Sequence, residues 1–297
     1  PAPEYDPAVI ERTTATLQFQ TEDFSLILNE YPTPDAQALA LRLVNNSYGG
    51  PLLRIRRKGD AVIVDVFPDS SNLLSLESPI TTTSGGGSTS ASSLGEFVKA
   101  SFYANPDSLG SPATAKVRTL FNQGFSNTNN AEQPNRPLQP TLVKDGEILT
   151  LGGRPAIFAT QGEYLLIQGY NWSSPNTIIF VGGLADVSQN SIELFFKALS
   201  GEPTFELFAT SGKFAVSSGN TVTSSDSVRR EVSYTITSQF GATSQVFVNG
   251  SLVAQGDSGT NAFSSLNIAS DSSQTFSSDL YFQELFFYNG YNVSIMD

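Results

Sequence analysis

The side chains in this sequence that could do chemistry are carboxylates, amides and a few aromatics. Histidine and cysteine are both absent from its 297 residues. That removes Ser-His-Asp and Cys-His nucleophilic catalysis, zinc–thiolate sites, disulfides and the usual near-neutral general base. Carboxylate chemistry remains open, and Glu193, Glu206, Glu231 and Glu284 are its candidates. Glu193 and Glu206 sit inside apolar strand patterns, where burial could perturb them. An alternating strand also has a solvent face, and a Glu there is ordinary surface. Glu284 lies in a run that reads as a last strand, which it is expected to brace.

Tyr170-Asn171-Trp172 contains the only tryptophan, beside a tyrosine and an amide. An aromatic face next to convergent amides is what sugar stacking needs, so this tripeptide is a candidate carbohydrate contact. A tryptophan that plugs a sandwich edge is the competing reading. Asp257 and Asp271 lie near turns that could hold calcium, but no dense Asp cluster surrounds them, and neither metal nor cofactor is expected.

The net charge of −12 and the sixteen dispersed cations argue against a nucleic-acid face and against binding to an anionic membrane. The acidity fits solubility, or life in salty water where screening weakens self-repulsion. No apolar run reaches the roughly 18 residues of a membrane span. The opening Pro1-Ala2-Pro3-Glu4-Tyr5 lacks the basic and apolar regions of a secretory signal.

The elements that must position these residues read mostly as strands. Residues 1–35 form an arm, with Leu17–Phe19 and Phe24–Leu28 as apolar pieces. Asp35 reads as the N-cap of a short helix over Ala36–Val44. Leu52–Arg56 and Ala61–Val66 form a hairpin around Lys58-Gly59-Asp60. Residues 80–93 read as a flexible low-complexity loop, followed by a short helix or strand near Leu94–Tyr103. From 140 onward strand follows strand, including Tyr164–Ile167, Thr177–Val181, Ile192–Ala198, Phe205–Phe208 and Val232–Thr237. Asn249-Gly250 between Gln245–Val248 and Ser251–Ala254 selects a two-residue type I′ turn. This spacing predicts an all-β, two-sheet antiparallel β-sandwich over 36–297, with an N-terminal arm and one or two short helices.

The pieces Val246–Val253, Leu266-Asn267-Ile268-Ala269 and Phe282–Asn289 resemble, in order and spacing, the C-terminal half of the concanavalin/laminin-G-like jelly roll. Ala40–Arg57, Leu120–Gly124, Asn129–Gln133, Gln139–Val143 and Gly153–Ala156 resemble segments of the arabinofuranosidase B catalytic-domain family. In that family a carboxylate pair performs retaining hydrolysis, and the fungal enzymes set a Cys-Cys pair against the sugar. Here the aspartate of the "Y-D-Q-S-G" segment is Asn122, and there is no cysteine. The resemblance thus implies a sugar-related scaffold with Asn122 and Gln123 as carbohydrate contacts and no catalytic residue. Such modules also recur in structural proteins of tailed phages and marine viruses.

The function expected on these grounds is a non-enzymatic structural protein on the exterior of a virion: a capsid decoration, head fibre or tail adhesin. It could bind host or environmental glycans, form a homo-oligomer and contact major capsid or tail proteins. Phe19, Phe24, Leu26 and Leu28 would be the docking anchors of the arm, or else the arm supplies ordinary edge strands to the sandwich. A lectin-like module and an α-L-arabinofuranosidase-like hydrolase are the alternatives.

Overall fold

The computed structural model describes residues 37–99, 113–124, 128–160, 162–187, 192–199, 204–270 and 278–290. The docking anchors Phe19, Phe24, Leu26 and Leu28, the cap Asp35 and the loop residue Asp271 lie outside them.

In chain order the described strands begin with β1 (Gln37–Ala40), β2 (Leu53–Arg57), β3 (Ile63–Val66) and β4 (Ile80–Thr82). A single-turn helix α1 (Leu94–Lys99) precedes β5 (Ala115–Leu120), β6 (Ala131–Glu132), β7 (Thr141–Lys144) and β8 (Glu147–Ile148). Then come β9 (Thr150–Leu151), β10 (Arg154–Pro155), β11 (Ile157–Ala159), β12 (Leu165–Trp172), β13 (Asn176–Leu184) and β14 (Ile192–Ala198). The series continues with β15 (Glu206–Thr210), β16 (Lys213–Ser217), β17 (Thr221–Ser227) and β18 (Tyr234–Phe240). It closes with β19 (Ser244–Val248), β20 (Ser251–Gly256), β21 (Phe263–Ile268) and β22 (Leu280–Asn289).

The pairings are antiparallel and build two facing layers. The first runs β20–β19–β18–β13–β22. The far edge of β22 is shared, by β1 against Glu284–Phe287 and by β11 against Leu280–Phe282. The second runs β17–β16–β15–β14–β21–β12–β6–β5–β2–β3–β4. β7 pairs with both β11 and β5, and so stitches the layers together at one side. At the other side β17 and β20 approach closely: a Cβ on Gly256 would stand 3.1 Å from Val222 Cγ2. The sandwich therefore curves towards a barrel.

Aromatic rings fill the space between the layers. Phe180 of β13 meets Phe195 of β14 edge-on at 5.3 Å, and Phe240 of β18 lies 4.2 Å from Phe205. Tyr234 of β18 meets Phe214 of β16 at 5.0 Å. Offset and edge-on contacts of this kind add to the burial of large apolar rings. Asn249 and Gly250 have φ of 51° and 80°, so the type I′ turn forms as the dipeptide requires.

Two local expectations fail. The described part of 36–44 contains no helix, because Gln37–Ala40 forms β1. Its Ala and Leu have only a small helical preference. Here Leu39 is bracketed by Leu285 of β22 on one side and a bridge to Asn122 on the other. Ladder bonds and complete burial outweigh that preference. The stretch 80–93 is also not loop throughout, since Ile80–Thr82 adds an edge strand to β3.

Candidate functional site

The best-formed candidate lies on the outside of the sandwich where the two layers join. Ile157 and Ala159 point into the core, so Phe158 between them points out. Leu280 and Phe282 do the same for Tyr281. The register places Phe158 directly opposite Tyr281, and their rings stand 4.6 Å apart, tilted by 31°. Both are half-buried, so part of this aromatic pair meets solvent.

The same line of cross-strand partners runs on through both layers. It passes from Gly183 to Tyr281, Phe158, Thr141, Lys116, Arg56 and Ile63. Directly paired positions share a face, so this line is one strip along the outer face of both layers, with Tyr281, Phe158 and Lys116 partly exposed and Gly183, Thr141, Arg56 and Ile63 buried. Four strand spacings separate Tyr281 from Arg56, or ~19 Å, which suits an oligomer better than a single small molecule.

The two ends of the strip differ in charge. Glu231 and Asp279 are exposed beside Tyr281. Burial, and then the negative charges of Glu231 and Asp279, hold its phenol above its usual pKa. Glu231 is fixed by its N–H, which donates to the Leu184 carbonyl at 2.7 Å, and has a φ of 56°. Beneath, Gln283 Nε2 donates to the Leu151 carbonyl at 3.1 Å and Gln283 Oε1 accepts from Ser233 Oγ at 2.8 Å. At the other end Lys116 is ion-paired with Glu163. Arg56 Nε donates to Gln139 Oε1 at 2.9 Å, and Gln139 Nε2 donates to the Gln133 carbonyl at 2.8 Å. Burial, and then the neighbouring Arg136 charge, lower the Arg56 pKa. A flat aromatic contact flanked by fixed acceptors and donors can stack on a ring and read its polar substituents.

The sites expected from sequence are placed elsewhere. Trp172 is 2% exposed and stacks on Phe263 at 5.5 Å, with Phe287 at 3.9 Å. It belongs to β12 and the core rather than to a loop, and its indole faces are not open to a ligand. Asn171 beside it is exposed. Tyr170 lies on the same strand, and its side chain falls outside the described ones.

Asn122 and Gln123 are 2% and 0% exposed, and their amides bind backbone. Asn122 Oδ1 accepts from the N–H groups of Ala38 and Gly124, both at 2.9 Å, and Nδ2 donates to the Thr128 carbonyl at 2.6 Å. Gln123 Oε1 accepts from Val44 N–H at 3.0 Å, and Nε2 donates to the Arg42 carbonyl at 2.9 Å. Together they tie β1 to the end of β5, which leaves no group for a sugar.

The candidate carboxylates Glu193, Glu206 and Glu284 differ in the face they take or the partner that holds them. Lys197 lies between the core residues Phe196 and Ala198, so Glu206 opposite it, 3.2 Å from its Nζ, is on the outer face. Glu193 lies opposite Ala209, a core residue, and so starts on the inner side. Glu284 is held by Arg42, with Nε to Oε1 at 2.6 Å. Asp257 is exposed and accepts from Gly259 N–H. No group of three or more potential metal-ligating side chains occurs among the described residues.

No protein-family model and no curated protein matches the sequence. Solved structures do. An arabinofuranosidase complexed with arabinofuranosyl-α-1,2-xylobiose superimposes with a TM-score of 0.55 at 14% identity, over 90% of this chain and 62% of that one. A GH54 α-L-arabinofuranosidase soaked with a cyclic sulfate inhibitor gives 0.54 at 13% identity, over 88% and 60%. Trypanosoma rangeli sialidase aligns over 60% of this chain and 30% of its own, with a TM-score of 0.44 at 11% identity. The chain thus spans less than two thirds of these relatives. At 13% and 14% identity the two arabinofuranosidase matches establish the all-β sandwich fold alone.

Proposed function

We propose that this chain is a glycan-binding β-sandwich that does not hydrolyse its ligand, with the Phe158–Tyr281 strip as the contact surface. The observation that carries the reading is the half-exposed aromatic pair, 4.6 Å between ring centroids, with Glu231 and Asp279 at its end. Aromatic rings take the apolar face of a sugar, and carboxylates accept from its hydroxyls. The sugar-bound arabinofuranosidase fold, matched over 90% of this chain, supports a carbohydrate ligand. The absence of turnover rests on Asn122, which stands where the resembling family has an aspartate, and on the different faces and partners of Glu193, Glu206 and Glu284. Retaining hydrolysis needs two carboxyl groups about 5 Å apart.

The setting we propose is the exterior of a virion, as a decoration or attachment protein. The acidic, histidine- and cysteine-free composition and the viral occurrence of the resembling module support it. A glycan array probed with the purified chain tests the binding reading. Retention of pectic or arabinan-type oligosaccharides is expected, and a flat array would overturn it. An arabinofuranosidase reading is favoured by the fold match alone, and release of 4-nitrophenol from 4-nitrophenyl α-L-arabinofuranoside would establish it. Mass spectrometry of purified virions tests the setting.

A further inference from the structure

The basic end of the strip contains a cation whose charge no described residue neutralises. Arg56 is 7% exposed, yet its one hydrogen bond is from Nε to the neutral amide of Gln139. Three cations on the same or the adjacent strand are matched: Arg54 by Asp65 at 2.7 Å, Arg57 by Asp60 at 2.6 Å, and Lys116 by Glu163. A charge that acts on Arg56 is that of another arginine, Arg136. A largely buried guanidinium without an anion, next to a second cation, costs stability unless it has a use.

The free part of the group is its outer end. The sealed polar atoms without partners among the described residues belong to Gln37, Asn176, Ser238, Asn267 and Tyr288. The two terminal nitrogens of Arg56 are not among them, so they keep a narrow contact with solvent while Gln139 holds Nε. That fixes the plane of the guanidinium and leaves Nη1 and Nη2 facing out, the edge that grips two oxygens of one oxyanion.

We infer that Arg56, assisted by Arg136, binds an oxyanion carried on the glycan, so that the ligand is an acidic rather than a neutral oligosaccharide. This rests on the glycan-binding reading above. The neutral rings of the chain would lie at the Phe158–Tyr281 pair, with the acidic group ~19 Å away at Arg56. A uronic carboxylate and a sulfate ester share this chemistry, and either would meet the two terminal nitrogens.

The test is calorimetric titration of the full chain with three oligosaccharides of matched length: an oligogalacturonide, a sulfated galactan fragment and a neutral arabinan fragment. At least one acidic ligand is expected to bind roughly tenfold or more tighter than the neutral one, the size of a charge-assisted pair. Which acidic ligand wins distinguishes carboxylate from sulfate. Arg56→Gln should erase the preference for the acidic ligand. Arg136→Ala, at an exposed position, should reduce it severalfold and keeps the test decisive if Arg56→Gln does not fold. Equal affinity for acidic and neutral ligands, or a preference that survives both substitutions, would overturn the inference and leave the glycan-binding reading standing. Binding of none of the three would overturn both.

Discussion

Arg42 grips Glu284 with two parallel bonds, Nε to Oε1 at 2.6 Å and Nη2 to Oε2 at 3.1 Å. The side chains are 14% and 10% exposed, and the pair ties the segment after β1 to the middle of β22. Arg42→Ala should therefore lower unfolding stability by about 3 kcal/mol, because the carboxylate stays buried without a partner. The double substitution Arg42→Met, Glu284→Leu should recover most of that loss. Urea denaturation of the three proteins measures it.

Asn122→Asp restores the carboxylate that the resembling family carries, and it should restore no chemistry. Its Nδ2 donates to the Thr128 carbonyl, so an oxygen placed there would face another oxygen in a buried site. The variant is expected to lose about 2 kcal/mol and to show no arabinofuranoside turnover. A melting curve and a 4-nitrophenol release assay check both parts.

Trp172 should act as a core residue. Trp172→Ala is expected to cost roughly 3–5 kcal/mol, since it opens a void against Phe263 and Phe287. The folded fraction should keep its glycan affinity. As the only tryptophan, it should also emit in the blue when folded and shift to the red on unfolding, which a fluorescence-monitored titration reads directly.

How far the sequence alone reaches follows from these residues. The hairpin at Asn249-Gly250 was legible because the turn chemistry is local, and Glu284 as a brace followed from its place in a long apolar strand. Gln37–Ala40 was not legible, because Ala and Leu are ambiguous until a neighbouring strand is known. Trp172 and Asn122 misled for a shared reason: a rare or motif-matching side chain looks functional, and burial becomes visible only once β12 and β1 are packed. Phe158 and Tyr281 were invisible as a pair, because only the β11–β22 register brings them together. Arg56 lay in a run of cations whose pairing depends on which face each one takes. An alternation count over Leu53–Arg57 could have placed Arg54 and Arg56 on the outside, opposite the side taken by Arg57.

Acid should weaken the fold through Asp60. Burial pushes its carboxyl pKa up, but the Arg57 fork and the Val62 N–H outweigh this and leave it below the usual value. A lowered pKa contributes stability at pH above the ordinary carboxylate range, near 4, and loses it as pH falls through the lowered value. Urea midpoints should therefore drop below about pH 4. Asp60→Asn should be less stable at pH 7 and show a shallower acid loss.

The most direct test of glycan binding without hydrolysis is saturation-transfer NMR with acidic pectic oligosaccharides, comparing the wild type with Tyr281→Ala. Transfer to ring protons is expected in the wild type and is expected to vanish in the variant, with the sugar resonances unchanged after prolonged incubation. No transfer to any oligosaccharide, full transfer in Tyr281→Ala, or the appearance of free monosaccharide would contradict the account.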